Sequence, residues 1–153
     1  MLRKTKKFFQ LSTLERALFI EAYWTLGMMR AAILKISFKK LTRSLEQSAQ
    51  RYELVNLNDA QKKMALAIGK AITRAALYTP WESACLAQSL TAQKMLRKRG
   101  ISGVFYLGVA KDEESKEKMK AHAWTECGDS IITGGRGHEN FTVVSVFGWE
   151  GEK

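Results

Sequence analysis

Apolar residues recur at helical spacing through the first half of the chain and in short β-branched or aromatic runs through the second. Leu14, Leu18, Ala22, Leu26, Met29 and Ile33 repeat every three or four residues, as one face of a helix does. Ser12 followed by Glu15 has capping-box spacing, so the pattern predicts a helix from about Ser12 to Ser37. Phe38, Leu41, Leu45 and Tyr52 form a second stripe and predict a helix over Phe38–Tyr52. Met64, Ile68, Ala71, Ile72 and Ala75 mark a third, opened by Asn58 or Asp59, both good N-caps. Pro80 ends it and pushes Thr79 toward extended backbone. A fourth helix starts around Pro80–Ser83 and runs to Arg99, where Gly100 is the expected stop.

Beyond Gly100 the period changes. Gly103–Ala110 reads as a strand, and Lys111–Lys120 as a solvated loop with eight charges in ten residues. Ala121–Cys127 and Ser130–Thr133 flank a tight Gly128–Asp129 turn. That turn pairs Cys127 with Ser130 and Glu126 with Ile131, and by counting back sets Trp124 against Thr133, Ala123 against Gly134 and His122 against Gly135. Gly134–Gly137 is a flexible loop before a last strand, Phe141–Phe147. The expected fold class is α+β in a single domain over 1–153. A helical front (1–78) packs on a core (79–153) in which a helix covers an antiparallel meander.

Composition adds direction. The chain has 153 residues, 25 Lys plus Arg against 15 Asp plus Glu, and 46% hydrophobic residues, so it is neither disordered nor large enough for a multidomain enzyme. Residues 1–43 hold ten basic side chains and two acids, Glu15 and Glu21, and so carry +8 of the net +10. Such a face suits nucleic acid, an anionic membrane or an acidic protein, or is simply a solvated surface. Phe8 and Phe9 beside Lys6 and Lys7 suit a membrane interface or the packing of a helix bundle. No uncharged run reaches the length of a membrane span and no cleavage site follows the basic start, so a secretory signal is not expected. Two cysteines are too few for a disulfide framework, and the expected location is cytoplasmic with reduced thiols.

One cysteine and one histidine stand in positions that carry chemistry. Cys85 falls in the first turn of the fourth helix, where free N–H groups and the positive dipole end favour a thiolate and can hold an oxyanion. His122 falls on a strand between Ala121 and Ala123, small neighbours that allow close approach. A helix-borne thiol facing a strand-borne imidazole is a nucleophile–base couple. Cysteine also serves as a small core hydrophobe, and strand histidines serve as structural residues.

The ordered set Cys85-Leu-Ala-Gln-Ser-Leu with a helix ending at Gly100, then Tyr106-Leu-Gly-Val109, then Ala121-His-Ala-Trp124, resembles the leader peptidases of lasso-peptide biosynthesis, a transglutaminase-like cysteine protease family. The resemblance covers about residues 60–147. It implies a papain- or transglutaminase-like core, Cys85 as nucleophile, His122 as base, and cleavage between the leader and core of a precursor peptide. It also implies partners: the precursor, a separate leader-binding protein and an ATP-dependent lasso cyclase. Nucleic acid is not among them, and no metal or cofactor is required.

The family triad closes with an Asp on the strand after the histidine, yet the register leaves only Thr133, Gly134 or Gly135 in that slot. Asp129 in the turn and Glu139 in the loop are the available acids, and a backbone carbonyl or Thr133 is the alternative. Trp81, Trp124 and Arg136 are candidate substrate contacts, although Trp81 and Trp124 also suit core packing. Cys127, of opposite side-chain parity to His122, reads as a passive thiol. Cys85, His122, Cys127 and His138 lack the short ligand pairs of a zinc site. Gly134-Gly-Arg-Gly137 lacks the Lys-Ser/Thr of a phosphate loop. The remaining alternatives are acyl transfer to an amine and a non-enzymatic basic module binding nucleic acid or membrane.

Overall fold

A computed structural model describes residues 2–48, 56–81, 84–114 and 118–152. The elements are α1 (Leu2–Phe9), α2 (Thr13–Lys35), α3 (Phe38–Leu41), β1 (Glu46–Ser48), α4 (Asp59–Ala76), α5 (Cys85–Lys98), β2 (Gly103–Lys111), β3 (Met119–Cys127), β4 (Ser130–Thr133) and β5 (Thr142–Trp149), with one 3₁₀ turn at His138–Asn140. The fold is α+β, a transglutaminase-like core carrying N-terminal helices.

Two helices open on complete capping boxes. Ser12 accepts from the Glu15 N–H while the Glu15 carboxylate accepts from the Ser12 N–H, and Asn58 and Gln61 repeat the exchange at α4. Gly100, with φ +73°, makes the left-handed turn that ends α5. The expected helix over Phe38–Tyr52 is not formed. It stops at Leu41, where Thr42 turns its hydroxyl back to the Phe38 carbonyl, and the chain turns through Leu45 into β1. Leu45 still reaches the core, through the turn instead of a helix face, and Tyr52 lies outside the described residues. The basic start forms α1, which buries none of its residues and rests Phe8 edge-on against Phe19.

The five strands lie in the order β1-β5-β2-β3-β4, all antiparallel. β2, β3 and β4 form a meander. β5 does not extend it, because the loop after β4 carries the chain back to the far side of β2. In the tight hairpin Cys127 pairs with Ser130 and Glu126 with Ile131, as the turn demands. A bulge then inserts one residue, so that Thr133 faces Thr125 and not Trp124. The bulge leaves Ile131 exposed and Ile132 buried.

α2, α4 and α5 cover one face of the sheet. Leu18, Ala22 and Leu26 of α2 meet Ile68, Ile72 and Ala75 of α4, and Leu90, Met95 and Leu96 of α5, over Phe105 and Phe147. Each large side chain buried there contributes about 1.5–3 kcal/mol. Glu21 of α2 clamps α5 through Arg99 at 2.6 Å and Lys98 at 2.9 Å. On the opposite face Tyr106, Trp124 and Val146 form a smaller cluster with Val104 and Phe141. Although charges interrupt its apolar run, α2 is long and apolar enough to cross a bilayer by length and composition alone.

Candidate active site

Cys85 is the first residue of α5 and its thiol is free and half-buried. The residue before it, Ala84, is the N-cap and offers no side-chain hydrogen bond, and no acid lies in the first turn. Among the described residues, no side chain accepts from the leading N–H groups of α5, whereas α2 and α4 both open on one that does. Those groups and the dipole end remain available to a thiolate or an oxyanion.

His122 sits on β3 opposite Gly108 of β2. Its Nε2 lies 2.6 Å from the carbonyl oxygen of Gly134. A carbonyl only accepts, so Nε2 carries the hydrogen and Nδ1 is the basic nitrogen. Gly134 stands just past β4 with φ +71°, and a β-carbon there would run into the Ala123 carbonyl. The orienting group is thus the backbone-carbonyl alternative to an acid, supplied by Gly134 at a position only glycine fits. The signal was the Gly134-Gly135 pair directly after a strand. Thr133, the other non-acid alternative, keeps its hydroxyl buried with no partner.

The ring of His122 is stacked 5.9 Å from Trp124 and lies 5.0 Å from Phe141. Trp124 is also 5.5 Å from His138. The Nδ1 of His138 in turn donates to the Gly135 carbonyl at 2.5 Å. Successive carbonyls of one loop therefore hold the two imidazoles that flank Trp124. A cavity of about 340 Å³ opens beside them, walled by Tyr106, Trp124, His138, Phe141 and Val146.

The two candidate acids do not reach His122. Asp129 occupies the hairpin turn, where its carboxylate accepts from Ser130 Oγ. It stands seven positions along the hairpin from His122, beyond the end of β3, roughly 20 Å at strand rise. Glu139 is exposed and its carboxylate lies 3.3 Å from His138 Nδ1. Arg136 is exposed in the loop between Gly135 and Gly137. Trp81 packs over Gly27 of α2 and beside Tyr23. Cys127 is buried against the helices, and burial, with the Glu126 charge second, pushes its thiol up to about 12. Among the described residues no three His, Cys, Asp or Glu side chains gather as a metal site.

By element length alone, Cys85 and His122 fall toward the same end of the sheet. α5 and β2 run antiparallel through the short link at 99–102, and the 14 residues of α5 span roughly 21 Å. β2 covers that length in about six residues, which brings Cys85 level with Val109 and its neighbour Gly108, the partner of His122. Alternation sends His122 to the Trp124 face, whereas α5 packs on the Phe105 face. No hydrogen bond joins the thiol to the ring among the described residues. β4 ends at Thr133, so the edge of β3 beside His122 is bordered only by the loop that supplies the Gly134 carbonyl.

A helix bearing a cysteine at its first position, followed by an antiparallel sheet bearing a histidine, defines the class: an α+β core of the kind built around a helix-borne thiol. The family model described as the transglutaminase-like superfamily matches residues 21–146. The chain belongs to that superfamily, whose Cys-His-Asp chemistry is compatible with a cysteine peptidase or an acyltransferase. No curated protein and no solved structure matches it.

Proposed function

We propose that this chain is a cysteine peptidase that removes the leader from a lasso-peptide precursor, with Cys85 as nucleophile and His122 as base. The observation that carries the reading is the pinned His122 ring: with Nε2–H held by Gly134, Nδ1 is the nitrogen free to exchange a proton with the thiol. Catalytic hydrogen bonds are often long in unliganded enzymes and tighten when substrate binds.

The Cys85 thiolate attacks the scissile carbonyl, and its own backbone N–H at the uncapped helix start binds the oxyanion. Protonated Nδ1 gives its hydrogen to the departing amine. Nδ1 then takes a proton from water, which attacks the thioester and restores the thiol. The carbonyl in place of a carboxylate orients the ring without adding negative charge. A cysteine tolerates this because its thiol is far more acidic than an alcohol. The aromatic cavity beside His122 suits an apolar side chain flanking the cleaved bond. A leader-binding protein would deliver the precursor and a lasso cyclase would take the core peptide, all in the cytoplasm.

The test is mass spectrometry of precursor incubated with the chain, with and without the leader-binding protein. The reading requires cleavage at the leader–core junction, abolished by Cys85→Ala and His122→Ala. Added glycine amide separates hydrolysis from transfer. A free core peptide supports the peptidase, and a core–glycine amide adduct as main product assigns the chain to acyl transfer.

A further inference from the structure

We propose that the outer face of α2, together with α1, docks on an anionic membrane surface. α2 has two apolar faces. One is spent on the core through Leu18, Ala22 and Leu26. The other carries Ile20, Trp24, Met28 and Leu34 at helical spacing, and Trp24 and Leu34 are each 67% exposed. The stripe from Ile20 to Leu34 is roughly 21 Å long. Phe19, Tyr23, Met29 and Ile33 pack partly against the core, whereas Ile20, Trp24, Met28 and Leu34 do not join it. Beside the stripe, α1, α2 and the end of α4 enclose a groove of about 700 Å³ walled by Phe8, Phe19, Tyr23 and Tyr78 and rimmed by Lys4 and Arg74.

Charge decides the occupant. Arg3, Lys4, Lys6 and Lys7 stand at one end of the stripe and Lys35, Lys39 and Lys40 at the other, all exposed. The two acids of this region are already engaged: Glu15 closes the cap of α2 and Glu21 clamps Arg99 and Lys98. What remains is an apolar helix face bracketed by exposed cations, of which Lys4 also lies over the Tyr78 ring, the pattern of a helix lying in the headgroup plane. Six of the ten cations in residues 1–43 are lysines, a residue depleted from protein interfaces but suited to non-directional attraction by anionic lipid. α2 lies on the bilayer and does not cross it, because its other face and Glu21 are committed to the protein core.

Co-sedimentation of the full chain with vesicles tests this, using phosphatidylcholine alone and phosphatidylcholine with one third phosphatidylglycerol. The expected result is binding to the anionic vesicles, at least roughly tenfold weaker binding to the neutral ones, and loss of binding in high salt. Trp24→Ser and the pair Lys4→Glu with Lys7→Glu change only exposed positions. Each lowers binding by roughly tenfold, with an unchanged circular dichroism melt confirming the fold. Absent binding, equal binding to neutral vesicles, or binding indifferent to either variant overturns the proposal, indifference to Trp24→Ser by showing bare charge adsorption without the apolar face. Retention on soluble polyglutamate with vesicles ignored also overturns it, in favour of an acidic protein partner.

Discussion

The Nε2–H of His122 donates to the carbonyl oxygen of Gly134 at 2.6 Å, so a backbone carbonyl and not a carboxylate orients this ring. The bond depends on a left-handed residue whose missing side chain lets the loop close on Ala123. Gly134→Ala adds a β-carbon that collides with that carbonyl and sits in a conformation L-residues avoid. We expect the loop to move and the ring to lose its anchor. The expected cost is about 10- to 100-fold in kcat/KM for precursor cleavage, since misplacement of a catalytic group by about 1 Å costs that much. Cleavage kinetics read alongside circular dichroism separate this from unfolding.

The two cysteines should differ sharply as nucleophiles. Burial pushes the Cys127 thiol up to about 12, so at pH 8 roughly one molecule in ten thousand carries its thiolate, and the sulfur is also enclosed by the core. Cys85 is half-buried at an uncapped helix start. Iodoacetamide followed by peptide mapping should label Cys85 alone in the native chain, and both only after unfolding. Equal labelling of the two in the native chain would sink the assignment of Cys85 as the nucleophile.

Much of this was legible in the residues. Capping pairs at Ser12/Glu15 and Asn58/Gln61, and the glycine stop at Gly100, are local hydrogen-bonding chemistry that needs no tertiary context. The Gly128–Asp129 turn likewise fixed the first two pairs of its hairpin. Misreadings came where tertiary demands decide. Leu45 fits a helical stripe yet is buried through a turn, because β5 needed the partner strand β1. The bulge at Ile132 shifted the register beyond Glu126, which no strand-by-strand count anticipates. The return of β5 to β2 is a long-range pairing with no local mark. At the candidate site the register left Gly134 in the acid slot and a backbone carbonyl among the alternatives, but no local mark chose that carbonyl over Asp129, Glu139 or Thr133.

The Glu21 clamp makes the docking of α2 on α5 depend on pH. Hydrogen bonds from Arg99, opposed by burial and helped by Lys98, hold the Glu21 carboxyl below its ordinary value of 4.5. A carboxyl whose folded value is depressed contributes stability at pH above its unfolded value and loses it as pH falls through the folded value. Glu21→Gln should therefore lower stability by about 1 kcal/mol at pH 7, a figure reduced by the partial exposure of the pair. As pH falls below the ordinary value of 4.5 the difference between wild type and variant should shrink progressively. Denaturant titrations of both proteins at pH 7 and pH 3.5 measure it. A gap that persists undiminished at the lower pH would mean that packing, not charge, links the two helices.

The uncapped start of α5 sets stability against reactivity. α2 and α4 each open on a side-chain acceptor, whereas α5 opens on Ala84. Ala84→Asp supplies the missing acceptor and a negative charge at the dipole end, which by ordinary capping should stabilise the fold by about 0.5–1 kcal/mol. The same carboxylate occupies N–H groups that Cys85 needs and repels its thiolate, so the thiol becomes harder to ionise. The variant should melt higher, alkylate more slowly at pH 7 and cleave precursor at least about tenfold more slowly. Both readouts can be taken on one preparation by following the melt and the iodoacetamide rate. If Ala84→Asp raises the melting temperature while alkylation and cleavage stay unchanged, the N–H groups at the head of α5 hold neither a thiolate nor an oxyanion.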